Sequence, residues 1–586
     1  MNVPMSIAAT NHDLHDIWSR LTFDITWKIL SQLDQYDIIE LMAVCRAWCE
    51  LVPQYSTRLF RSVTISGREQ RLRLQKLKAK CLGPHVKSVI VVFHKGDTAF
   101  REDIEELERL TCGSYTTAVL CYCSSYQLDG FLDTLRLLGN HLTRLIISHH
   151  MARNLNFYDV MAACPKLTYF EFEQPGTLLS ECTFGEQGTT YPLLTDLLLF
   201  GSLNPSFRLE PILARCPNLR FLAFTESMWR PALLGEELPT LLRHCPKLNS
   251  VSLVDDSAIE TVKDGLDRII KSNRRHGDEE QQHGLDELTM DLSGATFVAV
   301  DTSITIAEHL STLKSLKLQY CLFKGNSLPE NTITSCMTTL EFRNVLCSDA
   351  SFISLINRCP MLEHVLIEQH AMLFTPSLAR AVGSLLHLQR LYLIPTSTDR
   401  MDIPRTVVDA LDILFRTMKD NHVDLHTLHI RGRDAPIDDV VLESIASYLS
   451  SCCTTSIQHL AISSPYCSSQ GLDSFTAKIR HLDHLLSLQL QHFESMISKV
   501  TLSFIAELPM LERLVLISCW NVSGEGLCVF VQRSRKLKSI RVQQCSFIDV
   551  MPWIEEAEKR LGSSSVYADE DIALSQPPNG FRDWLF

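Results

Sequence analysis

Cysteine, histidine and carboxylate side chains are where a chain of this composition would do chemistry. It holds 20 cysteines and 21 histidines. Zinc sites need two ligand pairs at short spacing, and no Cys-x-x-Cys occurs. Cys45 and Cys49 stand one helical turn apart, and Cys121 and Cys123 alternate as on a strand, but neither pair has a second pair to complete a site. His276 to His283 frames Asp278-Glu-Glu280 in a polar stretch that reads as a solvated surface insertion. The nucleophile elbow, the phosphate-binding loop and the His-Glu-x-x-His zinc helix are all missing. Gly524-Glu-Gly526 lacks the third glycine of a dinucleotide loop. Asn521-Val-Ser523 is a glycosylation sequon by letter and reads as a loop. The expectation is therefore a binding protein, with no catalytic residue, metal or cofactor.

The elements that position these residues form a repeat. Leu313-Lys-Ser-Leu316-Lys-Leu318-Gln-Tyr-Cys321, the stretch Leu511 to Cys519 and the stretch Leu537 to Cys545 share one pattern, with apolar residues at the first, fourth and sixth places and cysteine at the ninth. Indexed by the second apolar anchor, the units fall at Val89, Val119, Leu145, Phe170, Leu197, Leu222, Val251, Leu288, Leu316, Leu340, Val365, Leu391, Leu428, Leu460, Leu488, Leu514 and Ile540, 17 units in all. Each core predicts a short strand with alternate residues inward. The returning segment is often helical, as at Asp439 to Tyr448. A single unit cannot bury its apolar face, whereas stacked units share a continuous core.

The cysteines keep the same register. Cys164, Cys216, Cys245 and Cys359 stand six residues before an anchor and precede proline, while Cys321, Cys519 and Cys545 stand five after one. These positions predict reduced, buried thiols. At 586 residues, with 55 basic against 68 acidic side chains and a net charge of −13, the chain is a poor nucleic-acid binder. No leader and no apolar run of membrane-spanning length is visible, so the expected location is cytoplasmic, nuclear or both.

This repeat resembles the cysteine-containing leucine-rich repeat. The implied fold is α/β, a leucine-rich-repeat solenoid of about 17 repeats with its parallel sheet on the concave face. Upstream, Ile25, Ile29 and Leu33 form one helical stripe, and Asp37 with Glu40 reads as the start of a second helix. Leu21, Leu30, Leu41, Val44, Cys45 and Trp48 complete a pattern that resembles the F-box, although Thr22 and Asp24 stand where proline and glutamate are usual. The division expected is a small all-α F-box at 12–62, the solenoid at 63–562 and a tail at 563–586. The resemblance implies that Leu21, Ile25, Ile29, Leu30, Leu33, Leu41, Val44, Cys45 and Trp48 bind a Skp-type adaptor. Through it the chain would join a cullin-RING ligase, and its repeats would select an unknown protein substrate for ubiquitination. Two other readings stay open: a binding scaffold outside ubiquitination, and a small-molecule-gated F-box receptor whose ligand loops would be Glu173–Tyr191 and Pro395–Pro404.

Residues flanking the inward anchors must point out of the sheet. Two outward groups stand out as substrate-binding candidates. Tyr169, Glu171, Phe200 and Phe221 lie on neighbouring repeats, as do Arg343, Glu368, Arg390, Tyr392, His429 and Arg431. Aromatic and arginine side chains are typical binding anchors. The plainer alternative is that the arginines pair with Glu341 and Glu368 on adjacent strands.

Overall fold

The computed structural model describes residues 23–44, 46–66, 80–93, 100–122, 128–148, 155–173, 178–179, 189–200, 210–225, 244–254, 284–291, 302–325, 335–370, 374–396, 405–432, 435, 437–451, 456–546 and 553–569. Leu21, Cys45, the polar insertion around Asp278 and most of both proposed ligand loops lie outside these residues. The chain forms two compact units, Met1–Gly284 with Gly294–Thr296, and Leu285–Ser293 with Phe297–Phe586.

The first unit opens with three helices, α1 (Phe23–Leu30), α2 (Gln35–Val44) and α3 (Arg46–Leu51). The start of α2 differs from the sequence expectation. The cap is Asp34, whose Oδ1 accepts from the Asp37 N–H at 2.8 Å. A short side-chain acceptor just ahead of the helix satisfies an otherwise orphaned N–H, so the helix begins before Asp37. Pro53 lies in the first turn of a short 3₁₀ segment, Val52–Tyr55, and the helix Ser56–Leu59 follows.

The sheet of this unit runs in chain order through β1 (Ser62–Ser66), β2 (Ser88–Phe93), β3 (Thr117–Tyr122), β4 (Arg144–Ser148), β5 (Tyr169–Glu173), β6 (Asp196–Phe200), β7 (Phe221–Thr225) and β8 (Ser250–Val254), every pairing parallel. One register row links Val63, Val89, Ala118, Leu145, Phe170, Leu197, Leu222 and Val251. The anchor of β3 is thus Ala118, and Val119 faces the other way. The run Ala118-Val119-Leu120 fits either phase of a strand, and a one-residue slip exchanges its faces. Pairing with Val89 and Leu145 chooses the phase that buries Ala118 and Leu120.

α2 closes the free edge of β1. Gln35 donates from Nε2 to the Ser62 carbonyl and accepts at Oε1 from the Thr64 N–H. One amide side chain thereby serves both groups that a neighbouring strand would serve. An edge strand left open would expose unpaired peptide groups. Met42 of α2 also contacts the buried Cys81, Sγ to Sδ 3.7 Å. The N-terminal helices are thus fastened to the repeats as their cap.

The second unit repeats the plan in β9 (Glu287–Asp291), β10 (Ser315–Gln319), β11 (Thr339–Arg343), β12 (His364–His370), β13 (Arg390–Thr396), β14 (Thr427–Ile430), β15 (His459–Ser463), β16 (Ser487–Gln491), β17 (Arg513–Ile517), β18 (Ser539–Gln543) and β19 (Val566–Asp569), again parallel throughout. Burial alternates along β9, β16, β17 and β18, with both leucine-type anchors of each strand inside. The returning helices pack on one another in chain order, Pro376–Gly383 on Arg405–Asp420 and then Asp439–Ser451. Ser348, Thr375, Ser468, Ser498 and Ser523 each cap a helix by accepting an N–H from the first turn. β19 falls inside the stretch expected to be tail, and the helix Trp553–Leu561 ahead of it buries Trp553 completely.

The cysteine ladder has a physical basis in two turns. After β10, β11, β16 and β17, the residues Tyr320, Asn344, His492 and Ser518 take left-handed φ of 50–54°. Each N–H donates to a carbonyl of the following repeat, which offsets the cost of that conformation for a residue with a Cβ. The next residue then turns back inward. Cys321 and Cys519 donate their thiols to the carbonyls of Met290 and Leu490 in the preceding repeat. At the other position, Cys164 and Cys359 end their helices with ψ of 69° and 61°, away from the helical region that a following proline disfavours.

Candidate protein-interaction sites

α1 and α2 expose an apolar set. Ile25, Ile29 and Val44 are 48%, 40% and 75% accessible. Exposed large aliphatic side chains on a small helical module are candidates for an interaction surface. Leu33 and Leu41 are half-buried beside them. Leu30 and Trp48, placed with the binding residues by sequence, are instead buried inside the unit. A side chain already removed from water has little left to gain from a partner.

The first outward group meets a different environment from the expected one. Tyr169, Glu171, Phe200 and Phe221 occupy outward positions of β5, β6 and β7, yet all four side chains are buried. So are Leu198 and Ala223 on the same face. The correction has a sequence cause. β6 and β7 read Asp-Leu-Leu-Leu-Phe and Phe-Leu-Ala-Phe-Thr, near-continuous apolar runs of the kind covered on both faces. Within the cluster the Tyr169 hydroxyl donates to Glu171 Oε2 at 2.6 Å, and the Arg144 guanidinium stacks 4.0 Å from the Tyr169 ring centre. Burial first, and then Glu171, push the Tyr169 phenol well above its ordinary pKa. Burial also raises Asp196, against the pull of Thr195, Arg220 and Arg144.

The second group is brought together on β11 to β14 and remains accessible in part. Lys317, Glu341, Arg343 and Glu368 form a chain of three ion pairs over three neighbouring strands. Lys317 Nζ lies 2.9 Å from Glu341 Oε1, and Arg343 reaches Glu341 at 3.6 Å and Glu368 at 3.8 Å. For Arg343 the plainer alternative therefore holds. Next to it His364 stacks on Tyr392, ring centres 5.2 Å apart, and Tyr392 meets His429 edge-on at 4.7 Å. Arg431 donates to Gln489 Oε1 at 3.2 Å, while its Nε and the His429 Nδ1 are buried without a partner. Arg390 is exposed, and no ion pair to it occurs among the described residues.

Electrostatics divides this face. Burial, Arg431 and His459 push His429 down to about 3, so it stays neutral. Burial also lowers His364 and works against the charge of Arg431. Glu341 is shifted downward overall, although burial opposes it, because Lys317, His364 and Arg343 surround it. The β10–β12 part is thus internally neutralised, whereas β13–β17 offer arginines and uncharged imidazoles. The sequence reading passed over His364, His459, Thr427, Ser487 and Arg513, which occupy the position just before each anchor. Their signal was the same offset that Arg390 has from Leu391. It also passed over Gln35, whose role depends on a strand far along the chain.

Residues 18–66 match the F-box-like family. No curated protein matches the chain. Among solved structures, a leucine-rich-repeat protein of Leptospira interrogans is similar at 12% identity, over 84% of this chain and 91% of that one, with a TM-score of 0.31. The repeat assignment rests on the chain's own parallel, register-matched strands and recurrent cysteine positions, so the chain joins an F-box-like segment at residues 18–66 to a leucine-rich-repeat fold.

Proposed function

We propose that the protein is the substrate-recognition subunit of an SCF E3 ubiquitin ligase. Residues 12–62 bind the Skp-type adaptor, and with it the cullin-RING ligase, and the repeats bind a protein substrate. The observation that carries this reading is the exposed set Ile25, Ile29 and Val44 on helices that match the F-box-like family. The subunit is itself non-catalytic: it contributes affinity and geometry, and proximity does the rest. Gln35 and Met42 tie the adaptor-binding helices to the first repeat strands, so the position of a bound adaptor is transmitted to the start of the sheet. Arg390, Tyr392, His429 and Arg431 supply the substrate surface, and the buried Tyr169 cluster supports the fold of its own unit. The ligase works in the cytoplasm or nucleus. The test is co-expression with a Skp adaptor followed by size-exclusion chromatography. Co-elution of the wild type, lost on replacing Ile25, Ile29 and Val44 by alanine, is the expected result. A wild type that elutes alone overturns the ligase reading.

A further inference from the structure

The turns that follow β15, β16 and β17 carry large apolar side chains into water. Tyr466, Met496 and Trp520 are 51%, 40% and 59% accessible, and Val500, two residues past the helix cap Ser498, is 49% accessible. Tyr466 and Met496 share one repeat position, two residues before the capping serines Ser468 and Ser498. Leu346, exposed on an earlier repeat, has the same offset from its cap Ser348. Stacking lines such positions up along one rim, at steps of about 4.8 Å. The turns are tied to one another. Cys467 Sγ lies 3.5 Å from Ser495 Oγ, the Trp520 N–H donates to the Phe493 carbonyl at 2.8 Å, and Ile497 and Val522 form a parallel bridge. Phe493, Ile497 and Val522 are fully buried, so the exposed row sits on a fixed base.

The rim is also acidic. Residues 437–440, 464–473, 492–500 and 518–526 hold Asp438, Asp439, Asp473, Glu494 and Glu525 against a single lysine, Lys499, and no arginine. Lys499 is paired with Glu525. Asp438, Asp439 and Asp473 accept from peptide N–H and hydroxyl groups, neutral donors that leave their charge in place. The helix N-termini on this rim return about half a positive charge each, which still leaves it acidic. We propose that this rim docks a basic amphipathic segment of a protein partner, one that mixes bulky aliphatic or aromatic side chains with lysine or arginine. Its apolar side chains cover Tyr466, Met496, Val500 and Trp520, and its cations face Asp439 and Glu494. Tryptophan and methionine are favoured at the centres of interfaces, and complementary charge steers and orients the partner. The same charge disfavours a nucleic-acid backbone or an anionic lipid surface. The rim shares no residue with the F-box helices or with the outward row of the sheet.

This inference goes beyond the ligase reading and does not depend on the adaptor. The experiment uses the full chain with its adaptor, or the full chain alone if no adaptor binds. Three degenerate fluorescent peptide pools of one length are compared by polarisation. The first mixes Leu and Phe with Lys and Arg, the second Leu and Phe with Asp and Glu, and the third Ser and Ala with Lys and Arg. The first pool should bind about tenfold or more tighter than either of the others, and Trp520→Ala and Met496→Ala should each weaken it about tenfold. Glu494→Lys should weaken it about threefold and flatten its salt dependence. Leu386→Ala, at an exposed apolar position on the turn that enters β13, should leave it unchanged, and all variants should melt with the wild type. Equal binding of the three pools, or first-pool binding that neither Trp520→Ala nor Met496→Ala moves, overturns the docking surface. A dimer in sedimentation that Trp520→Ala abolishes gives the rim to a second copy and overturns the assignment. So does first-pool binding that strengthens tenfold on Trp584→Ser with Phe586→Ser, which gives the rim to the chain's own C-terminal segment. Binding to anionic vesicles that Trp520→Ala abolishes overturns it equally. Loss of adaptor co-elution with first-pool selectivity intact overturns the ligase reading alone.

Discussion

Replacing Ile25, Ile29 and Val44 together by alanine separates adaptor binding from folding. Burying an aliphatic side chain completely stabilises by roughly 1.5–3 kcal/mol. These three are 48%, 40% and 75% accessible in the free protein, so only that remaining fraction can be gained from a partner. Its loss corresponds to about 1 kcal/mol at each position and about 3 kcal/mol together, a factor of roughly 100 in Kd. The cost to stability is small, within about 0.5 kcal/mol per site, because little packing is removed. Leu30→Ala provides the contrast. Leu30 is fully buried, and its truncation should cost roughly 2–5 kcal/mol of stability. Titration of the purified adaptor by calorimetry, beside thermal melts of the same preparations, reads both quantities. A triple variant that keeps wild-type adaptor affinity at an unchanged melting temperature would refute the assignment of this face.

Three further outcomes follow from the structure. Gln35→Ala removes the hydrogen bonds to the Ser62 carbonyl and from the Thr64 N–H, at a cost of roughly 1–2 kcal/mol, and amide exchange at Thr64 should accelerate about tenfold. Unchanged exchange would show that the side chain does not cap the sheet. In thiol labelling of the native protein, exposed Cys112 and Cys336 should react at once and buried Cys164, Cys245 and Cys359, pushed up to about 12, should not. Cys545, half-buried and lowered by its hydrogen bond with Cys519, should react before Cys519, whose burial pushes it far up; the reverse order would contradict the packing of that turn. Acid should destabilise the second unit: His429 titrates near 3 when folded and near 6.5 when unfolded. Between those values the unfolded chain holds more protons, so stability falls as pH drops through that window. His429→Gln should flatten the difference between melts at about pH 7.5 and about pH 5, and a slope unaltered by the substitution would place the acid sensitivity elsewhere.

Local pattern and tertiary arrangement contributed different parts of this reading. The repeat anchors, the helix stops at Cys-Pro and the apolar stripe Ile25–Ile29 are visible in the chain because each depends on neighbours within a few residues. Period, capping and φ restriction act at that range. Leu316 and Leu318 had to face inward once they alternated with polar residues. Where local alternation was lost the reading failed. Ala118-Val119-Leu120 took its phase from partners on two other strands. Tyr169, Glu171, Phe200 and Phe221 were assigned to the accessible face by alternation, but the apolar runs of β6 and β7 bury both faces. Leu30 and Trp48 fit the adaptor-binding motif and turned out to pack inside. The charge state of the sheet face belongs wholly to tertiary structure. Arg343 is paired with Glu341 and Glu368, and His459 is lowered by burial first and then by Arg513 and Arg390, groups tens of residues away along the chain. Parallel stacking brings one residue from each repeat into a common row, and Coulomb interactions across strands depend on that separation in space, which no window of sequence contains.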